Sequence, residues 1–367
     1  MSKTILKRKS SPDYVFLGAF CLLVIFGLVM LTSASSNLGK IQFNNSYYYL
    51  EHQILYGLLL GIIGFLLTYF IPYTFWQKKS FLLLIINIIF LLLVFSPLGM
   101  HIRGAARWLD LKIFSFQPSE LLKLTFLLYL ATWLSKKKER VKSFWDGFVP
   151  FFLLTIFIAF ILYIQPATTT ALLILGGSLV MYLWSGAKVK YVIGLAIIII
   201  ISALIFVLIT PYRYSRIIGF LHPNSDLLGT NYQRNQALIA IGSGGLWGVG
   251  YGNSTSKINY LPEPIGDSIF AVIAEELGFV GSIGLILLFL VFIIRGLLIS
   301  KNAPDKFSYL LSIGFIVLIG IQAFINISAI SGLLPLTGVP LPFISYGGTS
   351  LAVFMTMVGF IAQFSRY

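Results

Sequence analysis

The chain has 367 residues, of which 58% are hydrophobic and only 10% charged, with a formal net charge of +14. Soluble domains carry about 25% charged residues, so this composition excludes a soluble enzyme and predicts an all-α polytopic membrane protein. The positive excess does not point to nucleic acid, because the basic residues lie mostly in short loops between apolar runs.

Apolar runs of membrane-crossing length are expected near 14–34, 48–70, 80–96, 118–134, 147–164, 168–184, 190–209, 268–296, 307–330 and 346–364. The chain therefore reads as a single integral membrane domain, 1–367, of about ten transmembrane helices. Its basic start, MSKTILKRKSSPDY, leads into a run too long for a signal peptide. An even number of crossings puts both termini on one side. The ends and loops 1–13, 71–79, 135–146, 185–190, 295–306 and 365–367 hold 17 of the 26 Lys and Arg residues; the opposite set holds 8, and Lys123 lies inside a helix. By the positive-inside rule both termini are cytoplasmic, and the large loop 210–267 between helices seven and eight is extracytoplasmic. The one cysteine, Cys21, lies in an apolar run, so no disulfide framework is expected. Three scattered histidines, His52, His101 and His222, show no metal-ligand spacing.

Three external stretches, 97–117, 210–267 and 331–345, are long and rich in aromatics, glycine and proline, which puts the chemistry on the outer face. In the first, Arg103 and Arg107 suit an anionic ligand or lipid phosphates at the rim. Phe116-Gln117-Pro118-Ser119-Glu120 reads as a helix start. Lys123 follows Glu120 at i+3 on the same face, either as an internal salt bridge or as part of a substrate site. The long loop carries Arg213, Arg216, Gln233, Gln236 and glycines at 242, 244, 245, 248, 250 and 252, with no nucleotide P-loop pattern. Such glycines serve either close backbone approach or a mobile loop. The loop ends at Asp267, where polar sequence turns into apolar helix. An aspartate there is either a helix N-cap or a costly ionisable group kept for function, and Glu275 and Glu276 further down the helix favour the second. In the third stretch, prolines stop one helix and Tyr346-Gly347 opens the next with backbone N–H groups suited to an anion or to a turn at the membrane edge. Gln322 and Asn326, at i and i+4 on the preceding helix, are expected to line the same interior.

Taken in order, RGAARW…FSFQPSELLKL, YQRNQALIAIGSGGLWGVGYG, LPEPIGDSIFAVIAEELGF and SGLLPLTGVPLPFISYGGTS resemble the SEDS family (shape, elongation, division and sporulation), which includes FtsW and RodA. The resemblance covers nearly the whole chain and leans towards the FtsW form in the last two external motifs. It implies a membrane glycosyltransferase that polymerises peptidoglycan glycan strands from lipid II, in cell division or cell-shape maintenance. It also implies a class B penicillin-binding protein as partner, other divisome or elongasome membrane proteins beside it, and a place in the bacterial plasma membrane. The family's essential aspartate matches Asp267; its Arg-Trp pair matches Arg107 and Trp108, its helix-four acid and base Glu120 and Lys123, and its external glutamines Gln233 and Gln236. The candidate substrate-binding set adds Arg103, Gln117, Lys257, Glu263, Ser345, Tyr346 and Gly347. Three positions depart from the family pattern: Ala167 replaces an acid after helix five, Ile265-Gly266 replaces a His-Thr pair, and Ala237 replaces a serine.

On this reading Asp267 is a general base towards the acceptor's sugar hydroxyl. Arg107, Lys123 or a divalent cation, magnesium or manganese, would stabilise the departing diphosphate. The competing readings are a lipid II flippase and a non-catalytic scaffold for a partner synthase.

Overall fold

The computed structural model describes residues 11–367 except 103–104, 111–114, 137, 223–228, 230 and 259. Arg103, one of the candidate residues, lies outside the described residues. Helices dominate, as they must where no water satisfies backbone groups. Among the described residues seven helices are long and apolar enough to cross a membrane: Tyr14–Phe43, Tyr48–Phe70, Tyr73–Leu93, Phe144–Ile164, Val189–Ile209, Ile269–Lys301 and Lys306–Ile330. Thr168–Trp184 and Gly348–Phe364 are shorter apolar helices. Helix Pro118–Ser135 carries the buried Glu120 and Lys123.

Several boundaries differ from the apolar runs, each for a local reason. The first helix continues past residue 34 to Phe43 and stops where Asn44 turns left-handed, its N–H donating back to Gly39 and Lys40. The third begins at Tyr73, directly after Pro72, so Lys78 and Lys79 ride on helix rather than loop. The external stretches are also structured. Residues 97–117 hold a three-stranded antiparallel sheet, β1 (Gly99–Ile102), β2 (Ala105–Asp110) and β3 (Ser115–Phe116), in the order β1-β2-β3. The long loop folds into helices Pro211–Leu221 and Tyr232–Ser243.

The core is built around helix 306–330, which packs against 269–301, 168–184 and 118–135. Helix 348–364 is almost wholly buried and lies along helix 48–70. Small residues on 48–70 allow this approach: side-chain atoms at Gly61 and Gly64 would run into Met355 and Thr356. Thr68 seals the contact by donating to the carbonyl of Thr356 at 3.1 Å. Small residues at such a seam let helix backbones come close where lipid gives no hydrophobic drive.

The glycine-rich loop is a backbone graft onto a broken helix. Helix 269–301 is interrupted at Gly278, whose φ is 67°. The backbone groups released there pair with residues 245–250. Val249 and Gly250 donate to the carbonyls of Glu275 and Glu276 at 3.0 Å, while Phe279 and Val280 donate to Gly245 and Leu246 at 2.9 and 3.1 Å. A Cβ at Gly248 would strike the Glu276 carbonyl and the Gly278 nitrogen, so close backbone approach is the reason for the glycine.

Glu275 and Glu276 then hold the rest of the loop. Glu275 accepts from Ser254 Oγ at 2.5 Å and from the amides of Thr255 and Ser256 at 3.0 and 3.3 Å. Glu276 pairs with Lys257 Nζ at 2.6 Å, and Ser33 of the first helix donates to the same carboxylate oxygen at 2.6 Å.

Candidate active site

Asp267 is set by a tight turn. The carbonyl of Glu263 accepts from the amides of Gly266 and Ser268 at 3.0 and 3.2 Å. Glu263, between two prolines, adopts a left-handed φ of 51° to make that turn. A non-glycine residue there costs on the order of 1 kcal/mol, and such strain clusters at functional sites. Three consecutive carbonyls are then fastened to the loop before the last helix and to helix 306–330. Ile265 accepts from the Tyr346 amide at 2.8 Å, Gly266 from Ser345 Oγ at 2.7 Å and Asp267 from Asn326 Nδ2 at 2.8 Å. Asn326 also donates to Val339 at 2.7 Å, so one amide ties the two loops together.

The N-cap reading of Asp267 is corrected by this geometry. Ser268 occupies the cap position, and no side chain caps the helix. The Asp267 carboxylate instead accepts from Gln233 Nε2 at 3.2 Å, and the same amide donates to Ser268 Oγ at 3.1 Å. Asn326, Ile330, Leu336 and Gly338 pack around the carboxylate and leave no enclosed space large enough for a water. Burial, and after it the Glu263 carboxylate, pushes the Asp267 acid up to about 6, while the Gln233 hydrogen bond and the Arg216 charge pull it down. A group titrating there is ionised at neutral pH yet basic enough to take a proton.

Lys123 is the second polar centre. It contacts Glu120 at 2.7 Å and donates to Gln322 Oε1 at 2.9 Å, all three side chains being buried. Gln322 in turn donates to the Pro340 carbonyl at 2.9 Å, one residue from the Val339 carbonyl held by Asn326. Helix 306–330 thus carries both centres on one face. Arg107 on β2 donates to the Pro166 carbonyl at 2.8 Å, and Trp108 pairs with Met100 across the sheet. Gln117 starts helix 118–135 and donates its amide to Thr349 Oγ1 at 3.4 Å. Gln236 lies one turn after Gln233 on helix 232–243 and is half-buried.

Two expectations change. Lys257, placed in the substrate set, has its ammonium enclosed by Glu276, Ser33 and the Gly252 carbonyl, away from Asp267. The amides of Tyr346 and Gly347, expected to be open to an anion, are both taken: Gly347 donates to Gln53 Oε1 at 3.0 Å. The sequence reading missed Gln53, whose only signal was a polar side chain at the start of an apolar run, and Ser33, a serine in a helix full of small residues.

The profile of the FtsW/RodA/SpoVE cell cycle protein family matches residues 13–367. The chain belongs to this family, the SEDS proteins. Among its relatives, stage V sporulation protein E of Bacillus subtilis (strain 168) is 39% identical over 98% of both chains. A probable peptidoglycan glycosyltransferase FtsW of Geobacter sp. (strain M18) is 36% identical, again over 98% of both. Two solved structures share the SEDS fold. A chain of a peptidoglycan synthase complex, solved to show how polymerization and crosslinking are coordinated, aligns with a TM-score of 0.79 at 27% identity over 97% of this chain and 98% of that one. The rod shape determining protein RodA of Thermus thermophilus aligns at 0.71 and 27% identity over 98% of both. In this SEDS chain the loop that ends at Asp267 and the loop 331–347 interlock through the Ile265 and Gly266 carbonyls.

Proposed function

We propose that this SEDS protein is a peptidoglycan glycosyltransferase that polymerises glycan strands from lipid II, with Asp267 as general base. The observation that carries the reading is a half-buried carboxylate on a backbone held at the three successive carbonyls of residues 265–267, in a membrane chain of this family. As the acceptor's sugar hydroxyl attacks the anomeric carbon of the donor, its proton passes to Asp267 Oδ. The anomeric carbon–oxygen bond breaks, and the electron pair leaves with the polyprenyl diphosphate. On this reading Arg107, Lys123 or a divalent cation supplies positive charge for that leaving group, and the Arg216 charge lies beside Asp267. Among the described residues no three His, Cys, Asp or Glu side chains converge; the magnesium or manganese ion proposed for the departing diphosphate would be held by the substrate's own phosphates with one or two carboxylates.

The proposed topology has ten crossings, both termini cytoplasmic and the site on the extracytoplasmic side, supported by the Lys and Arg distribution. A class B penicillin-binding protein is the proposed partner. Loop side can be read by cysteine labelling of intact cells in a Cys21→Ser background. Ser254 is unsuitable because it is buried against Glu275, whereas the neighbouring Asn253 is exposed. Asn253→Cys is expected to label from outside and Ser143→Cys is not; the reverse would overturn the outer-face assignment.

The function is tested by reconstituting the protein with its partner and following labelled lipid II. Chains of growing length are expected. Transport of lipid II without polymerisation would favour the flippase reading, and polymerisation only by the partner would favour the scaffold. The pH profile is a further check. Asp267 must be ionised to act, so the rate should fall as pH drops through about 6. Glu263→Gln removes a charge that raises this value and should shift the limb to lower pH. An unmoved limb would separate the titration from Asp267.

A further inference from the structure

Helices 14–43 and 269–301 share one level at one end of the bundle, where Asp13, the N-cap of the first, pairs with Arg295 of the second at 2.5 Å. The apolar run of the first helix ends near residue 34, about 32 Å from that level at 1.5 Å per residue, which matches a hydrocarbon core of about 30 Å. The glycine-rich loop is attached short of that limit on both helices. Tyr251 donates its hydroxyl to the Val29 carbonyl at 2.9 Å, and the break at Gly278 takes up the backbone of residues 245–250. By the same rise Val29 lies about 24 Å and Gly278 about 26 Å from the ion pair. Two helices counted separately thus place the loop at one depth, inside the apolar layer.

What the loop presents there is apolar. From Asn235 to Ser256 the sequence has no charged residue, and Leu246 and Trp247 are 66% and 79% exposed. Their neighbours across the graft, Phe279 and Val280, are exposed as well and continue the outer face of helix 269–301. In water such a patch is an aggregation liability. In hydrocarbon its side chains are favoured, but irregular backbone is tolerated only where the protein satisfies it. The loop meets that condition. Besides its four backbone bonds to the broken helix, Gly248 donates to the Gly244 carbonyl at 2.7 Å and Asn253 Nδ2 to the Val249 carbonyl at 3.2 Å. The chain then climbs back out: the Gly252 carbonyl accepts from Lys257 Nζ, which also donates to Ser33, one turn beyond Val29.

We infer that residues 244–251 form a re-entrant loop whose Leu246 and Trp247 side chains contact lipid acyl chains, just below the level where the hydrocarbon gives way to headgroups. This depends on the two helices crossing the membrane and not on the glycosyltransferase reading. Tryptophan suits that level, because its ring is apolar and its N–H can still reach polar groups. The loop is bonded to the helix that begins just after Asp267, so a lipid anchor here fixes the height of the Asp267 turn relative to the bilayer.

The experiment uses the full-length Cys21→Ser protein, without a partner, in phosphatidylcholine–phosphatidylglycerol nanodiscs. Leu246→Cys, Trp247→Cys, Leu287→Cys and Lys40→Cys are each labelled with an environment-sensitive fluorophore. Quenching is measured with nitroxides on the lipid acyl chain and with iodide in the water. Leu287 is exposed midway along helix 269–301, and Lys40 is exposed beyond the apolar run of the first helix, so they calibrate lipid and water. The probes at 246 and 247 are expected to resist iodide as the Leu287 probe does. A nitroxide near the headgroup end of the acyl chain should quench them more than one near the chain terminus, the reverse of the order at Leu287. Independently of any label, Trp247→Phe should lower the share of intrinsic tryptophan emission that the shallow nitroxide quenches. Iodide quenching at 246 and 247 equal to that at Lys40 would overturn the inference and return the loop to water. Protection from both quenchers would also overturn it, by showing that protein rather than lipid covers the patch.

Discussion

Asp267→Asn is expected to be produced, to fold and to associate with its partner, yet to make no glycan chains from lipid II. The substitution changes little that holds the site together. The asparagine oxygen still accepts from Gln233, and the carbonyls of residues 265–267 keep their donors from Tyr346, Ser345 and Asn326. What it removes is the carboxylate's capacity to take a proton, a contribution typically of about 10²- to 10⁴-fold in rate. Glu263→Gln, which alters the neighbouring charge but not the base, should keep measurable activity with a shifted pH profile. Near-normal polymerisation by Asp267→Asn would sink the general-base assignment and turn attention to Glu263.

The second large effect belongs to the buried pair on helix 118–135. Lys123 is 1% exposed and Glu120 4%, and their contact at 2.7 Å is the one ion pair found for either among the described residues. Removing one partner of a buried pair strands the other charge and typically costs about 3–5 kcal/mol. Glu120→Gln should therefore lower the unfolding temperature markedly, because Gln322 and the Phe354 ring 5.2 Å away cannot neutralise an ammonium. Ala167→Asp, which restores the acid that the family resemblance leads one to expect, should recover part of that loss. Lys123→Met added to Glu120→Gln should also recover stability, since no isolated charge remains. Thermal unfolding in detergent separates these outcomes, and a Glu120→Gln protein as stable as the wild type would mean that Lys123 is satisfied elsewhere.

Much of the fold was legible because the bilayer demands long apolar helices, and the runs located in sequence overlap the observed helices, though the first helix ends at Phe43 rather than 34 and the third starts at Tyr73 rather than 80. Boundaries failed where a cap outvoted polarity, as at Asn44, or where basic side chains sat on helix, as at Lys78 and Lys79. The sheet over 99–116 was not foreseen, since its short strands lie among charged and glycine residues that give no clean alternation. At the site, Asp267, Gln233 and Ser345 came together as their motifs suggested, and so did Lys123 with Glu120, because i+3 spacing on a helix is a local rule. Lys257 went astray for the opposite reason. Its partner Glu276 lies across a loop whose path depends on the break at Gly278, and nothing local to Lys257 reports that pairing.

The pairing of Lys257 and Ser33 with Glu276 has a bearing on how the chain is made. As helix 269–301 leaves the ribosome and enters the insertion machinery it carries two adjacent acids into an apolar environment. Each such group raises the insertion cost by about 2.5–3.5 kcal/mol at mid-membrane depth and less towards the end of a helix. The donors that hold Glu275 and the Lys257 charge that pairs with Glu276 come from loop residues synthesised earlier, and Ser33 comes from the first helix. On the proposed topology the glycine-rich segment, made first, crosses before the broken helix arrives to meet it. A helix 269–301 that failed to meet the loop and Ser33 would carry two unpartnered acids and be poorly soluble in lipid.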